Sequence, residues 1–352
     1  MQQIIPNDKN LPIEKLAACF KNTNATYKFY WLLSIIEALE DGFKSQTTIF
    51  SKHDIFARMV SNAWYTVNYF HVSFGKLDNL QTAINTIKNT EVLTVDADKK
   101  EILKTLLQTE NKKTKNILAS LNNNVPHWFL SPWFPGEKNP KNIYIQSKKI
   151  PFYCPYILEK DYISVDILWA NYFLLNAKVI KNFCYWNLAL FLQSKNPNVP
   201  DIPNKLIKPA LRFNNNKQRK FWNIVFDEIG SIDCIYTSQH LTKDDYALDH
   251  FVPYNFVSHD LMWNLIPADK SFNSSKSDKL QSMNKYFDSF FNLQETAIKI
   301  VCEKEPRNKS LEDYLTILPE LNNLETNHTK IKFRDTIQPL ITIAANNGFE
   351  YL

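Results

Sequence analysis

Residues 248–280 read LDHFVPYNFVSHDLMWNLIPADKSFNSSKSDKL, and the rest of the chain is best understood outward from them. The stretch sets an Asp-His pair, Asp249 and His250, ahead of Asn264, and then places Asn273 and Lys276 three residues apart. The segments CIYT (234–237) and YALDHFV (246–252) are rich in β-branched and aromatic residues and are joined by the polar SQHLTKDD, which predicts a β-hairpin. A helix is predicted to resume near Ser271. Strand, strand and helix in that order would bring the end of the second strand, with Asp249 and His250, against the first helical turn, with Asn273.

That juxtaposition has a chemistry. A hard divalent ion such as magnesium takes a few protein oxygens and fills its octahedron with water and phosphate oxygens, so one carboxylate (Asp249) and one carboxamide (Asn273) suffice as ligands. His250, projecting to the other side of the strand, would take a proton from water facing a scissile phosphate. The metal would neutralise charge on the phosphate and the leaving oxygen. Asn264 is expected in the loop before the helix, bonding backbone across the turn and fixing how His250 is presented. Lys276, on the same helical face as Asn273, would hold a phosphate oxygen. Taken singly, each residue has an ordinary alternative: surface acid, core histidine, helix cap, solvated lysine. Four residue types in this order, with Val-Pro after Asp-His and Asn-Leu in the loop, converge on phosphodiester hydrolysis. His240 and His259 read as solvent-facing turn and loop residues, and Tyr254 either lines the site or packs the loop.

On these residues the stretch resembles the ββα-metal core of the HNH endonucleases over roughly residues 232–285, in a His-Asn-Asn variant with Asn273 where other members carry His. The resemblance implies Asp249 as metal ligand, His250 as general base, Asn264 as the structural Asn and Asn273 as the last ligand. It implies Mg2+, with Mn2+ as an alternative, and products with 5′-phosphate and 3′-hydroxyl ends. Many members place Cys-x-x-Cys ahead of Asp-His for a structural zinc. Here Cys234 is followed at that spacing by Thr237, so no structural zinc is expected. By the same resemblance, standalone prokaryotic proteins of this size often belong to restriction or antiphage defence systems, with homing and repair as other settings, and unchanged phage plating after gene deletion would argue against the defence analogy.

The remainder of the 352 residues bounds what accompanies this core. Only 5 glycines occur, with no Gly-x-Gly-x-x-Gly or Gly-x-x-x-x-Gly-Lys run, which removes the usual nucleotide-binding loops. The fold class expected is mainly α with a small α+β C-terminal module. Helices are predicted around Tyr27–Gly42, with Thr26 or Asn24 as cap, from Ser51 through SKHDIFARMVSNAWYTVNYF, across 78–121, and over 161–193. NIYIQ (142–146) reads as a short strand. Trp31, Trp64, Trp128 and Trp133 read as core residues. SKNPNVPDIPN (194–204) is the best linker candidate, dividing a helical recognition or regulatory domain (1–200) from a nuclease domain (205–352).

Net charge is +5, yet Lys205, Lys208, Arg212, Lys217, Arg219 and Lys220 follow one another without an acid, directly before the Asp-His stretch. Such a run is either a solvated helix face or the electrostatic footprint of a nucleic acid. Five scattered cysteines suggest reduced thiols. The amino terminus lacks signal-peptide character and no segment is apolar enough to span a bilayer, so a soluble cytoplasmic protein is expected. The partner expected is DNA, with RNA left open because the metal site sees a phosphodiester whichever base is attached. Two rivals stand beside an active endonuclease: a silent DNA-binding scaffold, and a nuclease that acts only with a protein partner or signal.

Overall fold

The computed structural model describes residues 5–150, 152–208, 214–321 and 324–352. Arg212 of the basic run lies outside the described residues. The chain forms two compact units. The first holds the described residues up to Pro197 with Ile202–Lys208, and the second holds Asn198–Asp201 with the described residues from 214 onward.

At the centre of the first unit lie the helices Tyr27–Gly42 and Lys52–Asn68, packed on each other. The second begins at Ser51, whose hydroxyl accepts from the amide of Asp54 at 3.0 Å and so satisfies one of the helix's orphan donors. Its apolar positions Ile55, Met59, Val60, Ala63, Trp64 and Val67 are buried. Thr26 precedes the first helix but does not cap it through its side chain, its hydroxyl donating instead to Asp78 at 2.7 Å. Strands β1 (Ile49–Ser51), β2 (Tyr156–Leu158) and β3 (Tyr162–Val165) form an antiparallel sheet in the order β1-β3-β2, with Phe50 opposite Ile163. Trp31, Trp64 and Trp133 are fully buried, whereas Trp128 is half-buried.

Two expectations fail in this unit. NIYIQ is not a strand but the body of a helix, Pro140–Gln146, because Asn139 caps it (3.0 Å to the Lys141 amide) and Pro140 occupies the first turn. That start signal outweighs the β propensity of Ile-Tyr-Ile. The single helix expected over 161–193 is instead β3 followed by two helices, Ile167–Leu175 and Ala177–Lys195, the first capped by Asp166 on the amides of Leu168 and Trp169.

In the second unit the helix Asn216–Ile229 buries Phe221, Trp222, Val225 and Phe226 and stops at Gly230, whose φ of +81° is the left-handed backbone that glycine adopts without strain. It packs on the helix Met283–Lys304. Between them run β4 (Ile232–Asp233), β5 (His240–Leu241), β6 (Ala247–His250) and β7 (Leu265–Ala268), then the helix Lys270–Lys276. The expected hairpin is therefore corrected. Cys234–Thr237 is the turn between β4 and β5, closed by the Ser238 amide on the Cys234 carbonyl (2.8 Å) and the Cys234 amide on the Gln239 carbonyl (2.8 Å). The strand carrying Asp-His pairs instead with β7, with Asp249 opposite Ile266 and His250 opposite Leu265. Mainly helical overall, with its small antiparallel pieces placed here, the chain carries a ββα core built from β6, β7 and the helix Lys270–Lys276.

Candidate active site

Strand alternation sends Asp249 and His250 to opposite faces of β6. Asp249 turns inward and is 2% exposed. The helix Lys270–Lys276, started by the Asp269 carboxylate on the Phe272 amide (2.7 Å), packs on β6 and ends at Lys276, which is 1% exposed. The Lys276 ammonium donates to both carboxylate oxygens of Asp249, at 2.7 and 2.9 Å, and gives its third hydrogen to the main-chain carbonyl of His250. An ammonium has three donors, and all three are used. The hydroxyl of Tyr236, brought in by the Cys234–Thr237 turn, donates to Asp249 Oδ2 at 2.6 Å. Burial, reinforced by the charge of Asp249, pushes that phenol well above its ordinary range, so Tyr236 stays a donor. Its ring stacks on Phe272 at 4.6 Å.

His250 turns the other way, toward the loop, and is half-buried. Its Nε2 lies 2.8 Å from Asp260 Oδ1, and the ring of Tyr254 meets it edge-on at 5.5 Å. An ionised carboxylate only accepts, so Nε2 is the donor in this pair, and Nδ1 makes no hydrogen bond among the described residues. The loop is fastened by Asn264, which is 0% exposed. Its amide oxygen accepts from the Val252 N–H and its amide nitrogen donates to the Val252 carbonyl, both at 2.8 Å. Asn264 lies at the end of the loop between the two strands rather than between strand and helix, because β7 begins immediately after it. From behind, the buried Gln294 donates to the carbonyls of Met262 (3.1 Å) and Leu265 (2.9 Å).

Asn273 lies one turn ahead of Lys276 on the same helix, half-buried, and its carboxamide makes no hydrogen bond among the described residues. Lys276, expected to face a phosphate, has all its donors occupied by protein. Tyr236, Asp260 and Gln294 were missed in the sequence. Asp260 alone carried a usable signal, a carboxylate ten residues after the candidate base in a loop that must fold back on it.

The donor set suits a hard cation. Asp249 Oδ1, Asp249 Oδ2 and the His250 carbonyl converge on one positive nitrogen, and Asn273 has its oxygen unengaged. Oxygen donors of this kind are what magnesium and manganese select. Among the described residues no group of three or more His, Cys, Asp or Glu is assembled to hold a metal, and the Lys276 ammonium sits at the Asp249 carboxylate. Cys234 instead accepts from the Asp269 amide at 3.4 Å.

Beside the loop, Lys217 and Lys220 of the basic helix join Lys309, Asn223, Asn308 and Ser310 around an open groove of about 510 Å³ that Asp227 and Glu305 also line. The helix is tied to the loop twice: Gln218 donates to the Asp260 carbonyl (2.9 Å), and Asp313 bridges Lys217 (3.2 Å) and the Met262 amide (3.1 Å). Asp227 is paired with Lys243 at 2.6 Å. His240 pairs with Asp233 at the surface, and His259 packs on Trp263 at 5.3 Å. No described helix is long and apolar enough to cross a membrane.

Residues 234–282 match the family model described as HNH endonuclease. Neither a curated protein nor a solved structure matches the chain. The matched span runs from the turn that presents Tyr236 to just past the helix bearing Asn273 and Lys276, so the chain carries a segment that matches the HNH endonucleases, a family whose chemistry is directed at nucleic acid.

Proposed function

We propose that the chain is a divalent-metal-dependent DNA endonuclease, acting in the restriction or antiphage-defence setting that its resemblance implies. His250 is the general base, taking the proton from water through Nδ1, while Asp260 holds the ring by Nε2. Asn264 fixes the loop on which that geometry depends. Lys217, Lys220 and Lys309 line a groove next to this loop and suit backbone phosphates. A magnesium or manganese ion at Asp249 and Asn273 would offset the charge developing on the phosphate and leaving oxygen.

The observation that carries this reading is the His250–Asp260 clamp directly beside the buried Asp249, inside the segment matched to the nuclease family. It argues against a silent scaffold, because a purely structural strand end has no need of an oriented, half-buried imidazole with one nitrogen left uncommitted. The test is a panel of duplex DNA, single-stranded DNA and RNA, incubated with Mg2+, with Mn2+ and with EDTA. Cleavage of DNA that requires the metal is expected. Cleavage of RNA alone moves the substrate assignment, and cleavage in EDTA contradicts the metal-dependent account.

A further inference from the structure

Lys276 presents a physical puzzle for a nuclease. A lysine that contacts a phosphate needs a free donor and a path to solvent, and Lys276 has neither, with three acceptors filled and 1% of its surface exposed. The atoms it engages are the oxygens a hard divalent ion would seek. A divalent ion and an ammonium bound to one carboxylate repel each other strongly in so buried a place. Tyr236 is different, because a neutral hydroxyl on Oδ2 can remain while the cation beside it changes. Lys276 is also the last helical residue before the exposed Ser277, so its four-carbon stem can leave the pocket without unpacking β6 from β7.

We propose that Lys276 is a resident counter-cation that sets the metal affinity of the site. It holds Asp249 and the His250 carbonyl in place when no divalent ion is bound, gives up the carboxylate when one binds, and only then offers its ammonium to a substrate phosphate. The exchange breaks and forms no covalent bond, and it leaves one cation at Asp249 in either state. The price is a weakened site: free energy of metal binding is spent on expelling Lys276, which raises the divalent-ion concentration needed to arm the nuclease. This inference deepens the nuclease reading and rests on it.

The first arm uses wild-type protein as it exists. Amine-selective acetylation read by mass spectrometry is expected to find Lys276 protected relative to exposed lysines such as Lys243 and Lys270 without divalent ion, and several-fold more reactive at saturating Mg2+ or Mn2+. Unchanged protection at saturation overturns the proposal. The second arm measures Mg2+ and Mn2+ binding by calorimetry for wild type and Lys276→Met. The variant is expected to bind at least about tenfold more tightly, and its melting temperature is expected to rise more on metal addition than that of wild type. Equal or weaker affinity in the variant overturns the proposal. A variant too unstable to purify without metal leaves the labelling arm decisive. Neither arm reads cleavage, so the two readings fail separately. Exchange without cleavage of any nucleic acid sinks the nuclease reading, whereas cleavage without exchange sinks only this one.

Discussion

Asp260 stands to His250 as an orienting carboxylate, 2.8 Å from Nε2. Removing it frees the ring to rotate and to carry its proton on either nitrogen, so part of the population presents the wrong tautomer. Asp260→Ala is expected to slow single-turnover cleavage by about 10²-fold, with Mg2+ affinity by calorimetry unchanged because Asp249 is untouched. A loss below about threefold would mean that the clamp does not act on the base. At this scale the order Asp249, His250, Asn264, Asn273 and Lys276 is legible as a pattern of residue types, and the backbone-bonding place of Asn264 is the part that the structure displays. What was not readable is who faces whom. Tyr236 reaches Asp249 only because a turn folds back, and a spacing of three places Lys276 on the face of Asn273 without revealing that a buried carboxylate waits there.

The loop between β6 and β7 is an element in its own right, burying Phe251, Val252, Phe256, Val257 and Met262 and closed by Asn264. The sequence places Asn264 in a loop but does not show that the segment contains a short helix, Tyr254–Val257, or that a buried amide closes it. Asn264→Ala leaves the Val252 N–H and C=O without their side-chain partners in a dry place, which is expected to lower the stability of the second unit by about 2–4 kcal/mol. Chemical denaturation measures it, and a change under about 0.5 kcal/mol would remove Asn264 from its structural role. The element errors share a cause. Residues 234–237 and 143–146 have β-prone side chains, but local hydrogen bonds of a turn and of a capped helix outbid that preference. β7 was hidden by Pro267, a residue that donates nothing to a ladder and is accommodated here in a two-stranded sheet, opposite Leu248.

For the whole molecule, the mainly helical character and the placement of the small β core late in the chain followed from glycine scarcity and from helical periodicity. The internal chemistry of the first unit did not, since burial of a polar group is invisible to periodicity. His127 is 4% exposed, neither ring nitrogen has a partner, and burial, aided by Lys52, pushes its pKa down from 6.5 to about 4. Between those values the unfolded chain binds a proton that the folded unit refuses, so stability is intact above pH 6.5 and falls as pH drops toward 4. A gap from 6.5 to about 4, at about 1.4 kcal/mol per unit, predicts a loss of roughly 3 kcal/mol from this group. His127→Phe is expected to flatten the acid limb of the stability–pH curve of the first unit by that amount, and parallel curves for the two proteins would refute the assignment. The central proposal concerns the second unit, where the His250 imidazole at the end of β6 would act as the base in phosphodiester cleavage. Single-turnover cleavage of duplex DNA in Mg2+ by wild type and by His250→Ala tests it most directly. The account predicts products with 5′-phosphate ends from wild type and a rate lower by about 10³-fold or more in the variant, with metal affinity retained; equal rates for the two proteins would contradict it.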